Sequence, residues 1–132
     1  MTTREELFDQ GLKIRREVLG SAYVDRSIQS ADDFNRPIQE LITEYAWGAV
    51  WSRPGLTRQT RSLLNLAMLT ALNRPIELEL HIRGALTNGV SRDEIREVFL
   101  QSAVYCGEPA ALESFRIARK VFAEVDGPAN PG

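Results

Sequence analysis

TRQTRSLLNLAMLTALNRPIELELHIRGALTNG, residues 57–89, predicts two helices separated by a tight break. The first predicted helix, 57–72, carries apolar residues around most of its circumference, which is typical of a central helix buried on all sides. The sequence Asn73-Arg74-Pro75 stops it, because the residue before a proline leaves the helical region and proline suits the first turn of a new helix. The second predicted helix, 75–88, ends at Gly89, which can adopt a left-handed cap.

The second helix holds the only histidine of the chain, His81. Glu77 lies one turn before it on the same stripe, and Arg74 stands at the helix entrance. Arg58 and Arg61 open the preceding helix, where positive charge opposes the helix dipole and an anion would compensate it. These features predict a site for an anionic small molecule. The alternatives are a histidine with satisfied partners in the core and arginines that are ordinary surface charges.

Both tryptophans, Trp47 and Trp51, precede a Pro-Gly turn, and Arg53 lies between them and that turn. Two aromatic side chains followed by arginines predict an apolar-walled corner lined by cations. The alternative is that the tryptophans anchor the core or a subunit interface, as large aromatic side chains commonly do.

Length and composition limit the class of protein. At 132 residues the chain forms one domain, and its net charge of −2 gives no reason to expect a nucleic acid or an anionic membrane as partner. The single cysteine, Cys106, excludes an internal disulfide or Cys-x-x-Cys motif, and we predict that it is a packed thiol. One histidine without a cysteine cluster predicts no metal site. The acidic N-terminus does not resemble a signal peptide, so we predict a cytoplasmic protein.

The remaining segments predict an all-α domain over 1–126 with about six helices, followed by a disordered tail over 127–132. Thr2 or Thr3 caps a first helix that ends at Gly20, and 21–32 is predicted as a loop with short helical turns. Helices are then predicted from Asp32 or Asp33 to Ala46, from a Ser91–Glu94 capping box to Gly107, and from Pro109 onward.

Several short motifs together resemble the carboxymuconolactone decarboxylase family, within the alkylhydroperoxidase D-like superfamily, along the whole chain except its tail. They are RREVLG at 15–20, VDRS at 24–27, WG at 47–48, WSRPGL at 51–56, TRS at 60–62, AML at 67–69, ALNR at 71–74, LHIR at 80–83, NGV at 88–90, DEI at 93–95 and QSAVYCG at 101–107. The resemblance implies an all-α homo-oligomer, a hexamer built as a trimer of dimers or a trimer. It also implies a cofactor-independent 4-carboxymuconolactone decarboxylase acting in protocatechuate breakdown.

Other members of the wider superfamily carry a redox Cys-x-x-Cys motif followed by histidine. When that histidine is aligned with His81, Arg74 and Glu77 stand where the two cysteines would be, which argues against thiol peroxidase chemistry. Two alternatives remain open. One is a peroxidase-like enzyme that uses Cys106 across subunits, and the other is a non-catalytic oligomer that binds an aromatic-acid metabolite.

The resemblance leads to a mechanistic hypothesis in which the lactone of the substrate accepts the electron pair left by carbon dioxide. His81 would stabilise the enolate oxygen or protonate carbon, and Glu77 would orient His81. The carboxylate-binding residues would be Arg53, Arg58 and Arg61, with Arg74 and Arg83 as weaker candidates. The apolar wall of the site would consist of Trp47, Trp51 and Tyr105.

Overall fold

The computed structural model describes residues 1–127, which form seven α-helices and one π-helix with no β-strand. The predicted all-α class is confirmed. Packing divides the chain into two compact units, Met1–Arg58 and Gln59–Gly132. The single domain over 1–126 stays a prediction, and the predicted tail beyond Gly127 lies outside the described residues. Among residues 1–127, no helix combines the length and the apolar character needed to cross a bilayer.

The N-terminal unit is built from four consecutive helical segments. They are α1 (Arg4–Leu19), α2 (Ser21–Gln29), α3 (Arg36–Leu41) and the π-helix (Ile42–Val50). Thr3 caps α1 as predicted, because its Oγ1 accepts a hydrogen bond from the backbone N–H of Glu6 at 3.1 Å. Gly20 ends α1 with a positive φ of 93°.

The loop predicted over 21–32 is wrong, since most of it forms α2. Val24 of α2 is fully buried, and this packing stabilises a nine-residue helix that lacks a side-chain N-cap. The helix predicted from Asp32 begins later, at Arg36. Asp32 instead closes a turn, because its Oδ1 accepts hydrogen bonds from the backbone N–H groups of Phe34 and Asn35 at 3.0 Å.

The π-helix packs against α1 through two glycines. A Cβ atom added to Gly11 would lie 1.9 Å from the carbonyl oxygen of Thr43, and one added to Gly48 would lie 2.2 Å from that of Leu7. Only glycine permits such a close approach of the two backbones. A hydrogen bond from Trp51 N to Ala46 O, 2.9 Å long, joins residues five apart, as in a π-helix, and closes the last turn.

The C-terminal unit contains four α-helices around one apolar core. They are α4 (Arg58–Ala71), whose first residue still belongs to the N-terminal unit, α5 (Pro75–Thr87), α6 (Arg92–Cys106) and α7 (Glu108–Asp126). The predicted break between α4 and α5 is confirmed: Asn73 has a left-handed φ of 56°, and Arg74 N donates to Leu69 O at 3.0 Å. The predicted capping box of Ser91 and Glu94 is also present.

The prediction that α4 is buried on all sides is wrong for the single chain. Its fully buried side chains, Ser62, Leu66 and Thr70, follow one stripe at four-residue spacing. The stripe formed by Leu64, Met68 and Leu72 is instead 47%, 51% and 62% exposed. An apolar residue pattern around a helix does not distinguish burial within one chain from a surface left open for another partner.

Candidate active site

His81 lies on α5 in the C-terminal unit and is half-buried. Its Nδ1 atom lies 3.4 Å from Nδ2 of Asn65, which projects from α4. The neighbouring Leu66 is fully buried in the core of this unit, and it therefore fixes this turn of α4. The ring is thus held by a side-chain amide from a second helix.

Burial lowers the pKa of His81 from 6.5 to about 4, because charging a desolvated imidazole is unfavourable. The negative charge of Glu77 acts in the opposite direction and does not overcome this effect. At neutral pH, His81 is therefore uncharged and offers one N–H donor and one nitrogen acceptor.

Glu77 and Arg74 share with His81 the predicted stripe along α5, but both side chains are exposed. Arg74 is the N-cap residue of α5, and it lines a small cavity of about 210 Å³ together with Asn73 and Glu113. Glu77 acts on His81 through its field. The structure therefore keeps these two residues near the solvent-facing start of the helix.

Two other candidate arginines of this unit, Arg61 and Arg83, differ in their environment. Arg61 is half-buried on α4, one turn before Asn65 and therefore on the same face of that helix. Arg83 forms ion pairs with Glu124 and with Glu79, the latter at 3.9 Å. Arg61 thus shares a helix face with Asn65, the residue that contacts His81, whereas Arg83 joins α5 to α7.

In the N-terminal unit, Arg58 is paired with Glu17 at 2.8 Å. The carboxylate of Glu17 therefore compensates the positive charge of Arg58, which is unfavourable at the start of a helix. Arg53 follows the π-helix and is exposed. Both arginines are at the surface of this unit.

Trp47 and Trp51 are 3% and 8% exposed and belong to the core of the N-terminal unit, together with Ile14 and Val18. Their rings stack with centroids 4.6 Å apart. This arrangement fits the alternative weighed from the sequence, in which two large aromatic side chains anchor a core.

Tyr105 and Cys106 are exposed at the end of α6, so the prediction of a packed thiol is wrong. The buried face of α6 is formed by Ile95, Phe99 and Ser102, and the last two residues of the helix lie off that face. Tyr105 and Cys106 line an open groove of about 870 Å³, whose other walls come from the apolar side of α4 and from acidic residues of α6. Those acidic residues are Asp93, Glu94 and Glu97.

Asn65 is the site residue that the sequence interpretation missed. In the sequence it is one of two polar residues that interrupt the apolar run of α4. A short amide in an apolar helix is a signal in itself, because a buried polar group requires a partner. The sequence does not reveal that this partner is His81, sixteen residues later.

Among residues 1–127, no group of three or more His, Cys, Asp or Glu side chains converges as a metal site would require.

A family model described as the carboxymuconolactone decarboxylase family matches residues 36–120. The chain belongs to this family. The matched range contains His81, Asn65 and every site residue predicted from the sequence. Carboxymuconolactone decarboxylase family membership therefore confirms the resemblance carried by the short motifs.

Curated relatives within the family carry two different decarboxylase names. A nitrosuccinic acid decarboxylase of Metarhizium robertsii is 52% identical over 116 residues, covering 88% of this chain and 81% of the relative. A 4-carboxymuconolactone decarboxylase of Acinetobacter baylyi is 46% identical over 121 residues, covering 92% of this chain and 90% of the relative. A 4-carboxymuconolactone decarboxylase of Pseudomonas putida is 46% identical over 44 residues, which is 33% of this chain and 92% of that sequence.

Proposed function

We propose that this chain is a carboxy-lyase that converts 4-carboxymuconolactone to β-ketoadipate enol-lactone in the breakdown of protocatechuate. The observation that carries the proposal is the 46% identity, over 90% of its length, to a relative named for this reaction. The half-buried, uncharged His81 supplies a chemically suitable donor. We also propose that the reaction takes place in the cytoplasm.

The substrate has a lactone ring whose reacting carbon bears one carboxylate and an acetate arm with a second carboxylate. When the bond between the ring carbon and its carboxylate breaks, carbon dioxide leaves and the electron pair moves through the ring double bond to the lactone carbonyl oxygen. A proton then adds to the ring carbon next to that carbonyl, which gives the enol-lactone. The substrate is its own electron acceptor, so the protein need only stabilise the negative oxygen, bind the carboxylates and deliver the proton.

His81 acts in this proposal on the oxygen that gains charge. A neutral imidazole donates a hydrogen bond to that oxygen without carrying a charge that the apolar surroundings would disfavour. With a pKa of about 4, the imidazolium is scarce at neutral pH, so donation is favoured over proton transfer from His81. The negative charge of Glu77 raises the pKa of His81 and so partly offsets the effect of burial.

The arginines bind the carboxylates in this proposal, because a planar guanidinium matches a carboxylate with two parallel hydrogen bonds. Arg61 has the strongest support among the arginines, since it is half-buried one turn from Asn65 on α4. Arg53, Arg58 and Arg74 are further candidates at the surface. The wall formed by Trp47, Trp51 and Tyr105 stays a prediction.

The active form in this proposal is a homo-oligomer, either the hexamer or the trimer that the resemblance implies. Support comes from the open apolar stripe of α4 and from Leu100, Val104 and Tyr105 on α6, which are 47%, 78% and 79% exposed. Contiguous exposed apolar side chains of this kind commonly mark subunit interfaces. Native mass spectrometry of the full chain measures the subunit number, and a monomer at assay concentration would contradict this part of the proposal.

Nitrosuccinate is a second candidate substrate, favoured by the 52% identity to the Metarhizium relative. Both substrates contain a succinate skeleton, and in both the carbon that loses its carboxylate is conjugated with the electron acceptor, directly in nitrosuccinate and through the ring double bond in the lactone. In nitrosuccinate that acceptor is the nitro group, whose oxygens take the charge as a nitronate, and protonation of carbon then gives 3-nitropropanoate. One donor for a negative oxygen and one site for the second carboxylate would serve both reactions.

The test is to supply the purified full chain with each substrate in turn and to measure carbon dioxide release above the uncatalysed rate. We expect turnover of 4-carboxymuconolactone with a higher kcat/KM than that of nitrosuccinate. The reverse order would transfer the assignment to the nitro substrate, and no release from either would overturn the proposed chemistry. Peroxide reduction by the wild type that is lost in Cys106→Ser would favour the thiol-dependent alternative.

A further inference from the structure

We propose that Asn65 is a positioning residue that holds His81 as the tautomer protonated on Nε2, so that the ring presents an N–H donor to the substrate. The inference rests on the proposed function for its catalytic meaning, while the state of the ring itself does not depend on any substrate. The observation is the approach of Asn65 Nδ2 to His81 Nδ1 at 3.4 Å.

The chemistry of the two groups determines the direction of this hydrogen bond. A side-chain amide nitrogen can only donate, so Nδ1 of His81 must accept and must carry no proton. The proton of a neutral imidazole is then on Nε2. In a doubly protonated ring, Nδ1 would carry an N–H that faces the N–H of the amide. Asn65 therefore disfavours the charged ring and, like burial, lowers the pKa of His81.

The surroundings support a positioning role that is separate from general packing. A second side-chain hydrogen bond joins the same two helical segments, from Asn88 Nδ2 to Ser62 Oγ at 2.9 Å. This hydrogen bond lies one turn away from Asn65 along α4 and does not involve His81. Ser62 is therefore a matched control, since Ser62→Ala removes a helix-to-helix hydrogen bond without removing the amide at the imidazole.

The charged group whose field acts on His81 is Glu77, which lies on α5 itself. α4 contributes the neutral amide of Asn65 at the ring. Asn65→Asp replaces that amide with a carboxylate. The side chain at residue 65 then favours a protonated Nδ1 on His81, because a carboxylate accepts a hydrogen bond from Nδ1–H and stabilises the imidazolium. Asn65→Leu removes the preference and introduces no new charge.

Because His81 is the only histidine, ¹⁵N labelling of histidine gives the signals of a single imidazole in the full chain. In the wild type and in Ser62→Ala, we expect the Nε2–H pattern at neutral pH. In Asn65→Leu we expect exchange between the two tautomers, and in Asn65→Asp we expect an Nδ1–H ring with a raised pKa. A wild-type ring protonated on Nδ1, or an unchanged tautomer in Asn65→Leu, would overturn the inference.

Activity provides the second readout. We expect Asn65→Asp to lower kcat by about 10- to 100-fold, less than the loss of a whole oxyanion donor, with a small change in KM. Ser62→Ala should retain kcat within about threefold, as for a contact that affects only packing. An Asn65→Asp enzyme with wild-type kcat would contradict the positioning role. An Nε2–H ring in a wild-type chain that decarboxylates neither substrate would overturn the proposed function and leave the structural inference intact.

Discussion

The candidate site residues of the two units lie in different surroundings. In the N-terminal unit, the tryptophans Trp47 and Trp51 stack in the core, and Arg58 is paired with Glu17. In the C-terminal unit, His81 is half-buried but held by an amide, and its pKa is lowered to about 4. From this difference we expect the half-buried His81, rather than the cluster of aromatic and cationic residues, to carry the chemistry.

The largest expected effect separates stability from activity in the N-terminal unit. Trp47→Ala should lower the free energy of unfolding by about 3–5 kcal/mol, because it removes a large side chain that is buried in the core. Urea denaturation measures this change. Phe34→Ala is the matched control, since Phe34 is an aromatic residue of the same unit that is 94% exposed. Unchanged stability with a raised KM would instead make Trp47 part of the substrate wall.

The next effect concerns chemistry in the C-terminal unit. His81→Ala should reduce kcat about 100- to 1,000-fold with 4-carboxymuconolactone, as is typical when one donor to a developing oxyanion is removed. Circular dichroism and native mass spectrometry should report an unchanged fold and assembly. Glu77→Gln provides the comparison, and we expect a smaller loss because Glu77 is exposed. Near-normal turnover by His81→Ala would remove His81 from the mechanism.

We expect a smaller effect, on KM, from replacing either of two arginines near the start of α4. Arg61→Ala should raise KM by about 10- to 100-fold, since a hydrogen bond to a charged group contributes about 1.5–3 kcal/mol. Arg58→Ala should raise KM less, because Glu17 already neutralises that guanidinium. Steady-state kinetics on the two variants distinguishes these outcomes. A larger KM increase for Arg58→Ala would assign the carboxylate to the arginine of the N-terminal unit.

Helix boundaries were predictable from the sequence wherever the signal is local. Thr3 caps α1, Ser91 and Glu94 form a capping box, and Asn73 and Gly89 adopt left-handed conformations after α4 and α5. Each of these features depends on a few adjacent residues. These helix ends therefore follow from adjacent residues, whereas the start predicted at Asp32 is a turn and the helix begins at Arg36.

Features that depend on distant packing were not predictable in the same way. The π-helix depends on the backbone approach at Gly11 and Gly48, and α2 depends on the burial of Val24. The pairing of Asn65 with His81 joins residues of two different helices. Periodicity reports which residues share a face of one helix, and it does not report which face of another helix they meet.

The most direct test of a neutral His81 acting as hydrogen-bond donor is the pH dependence of kcat/KM, which reports the ionisation of the free enzyme. Because the pKa of His81 is lowered to about 4, the ring stays uncharged as the pH falls through 6.5. We therefore expect the decarboxylation of 4-carboxymuconolactone to keep a constant kcat/KM from about pH 8 to about pH 5.5, and to decline only as His81 gains a proton near pH 4. A rise or fall in kcat/KM centred near pH 6.5 in the wild type, and absent from His81→Ala, would contradict a neutral donor.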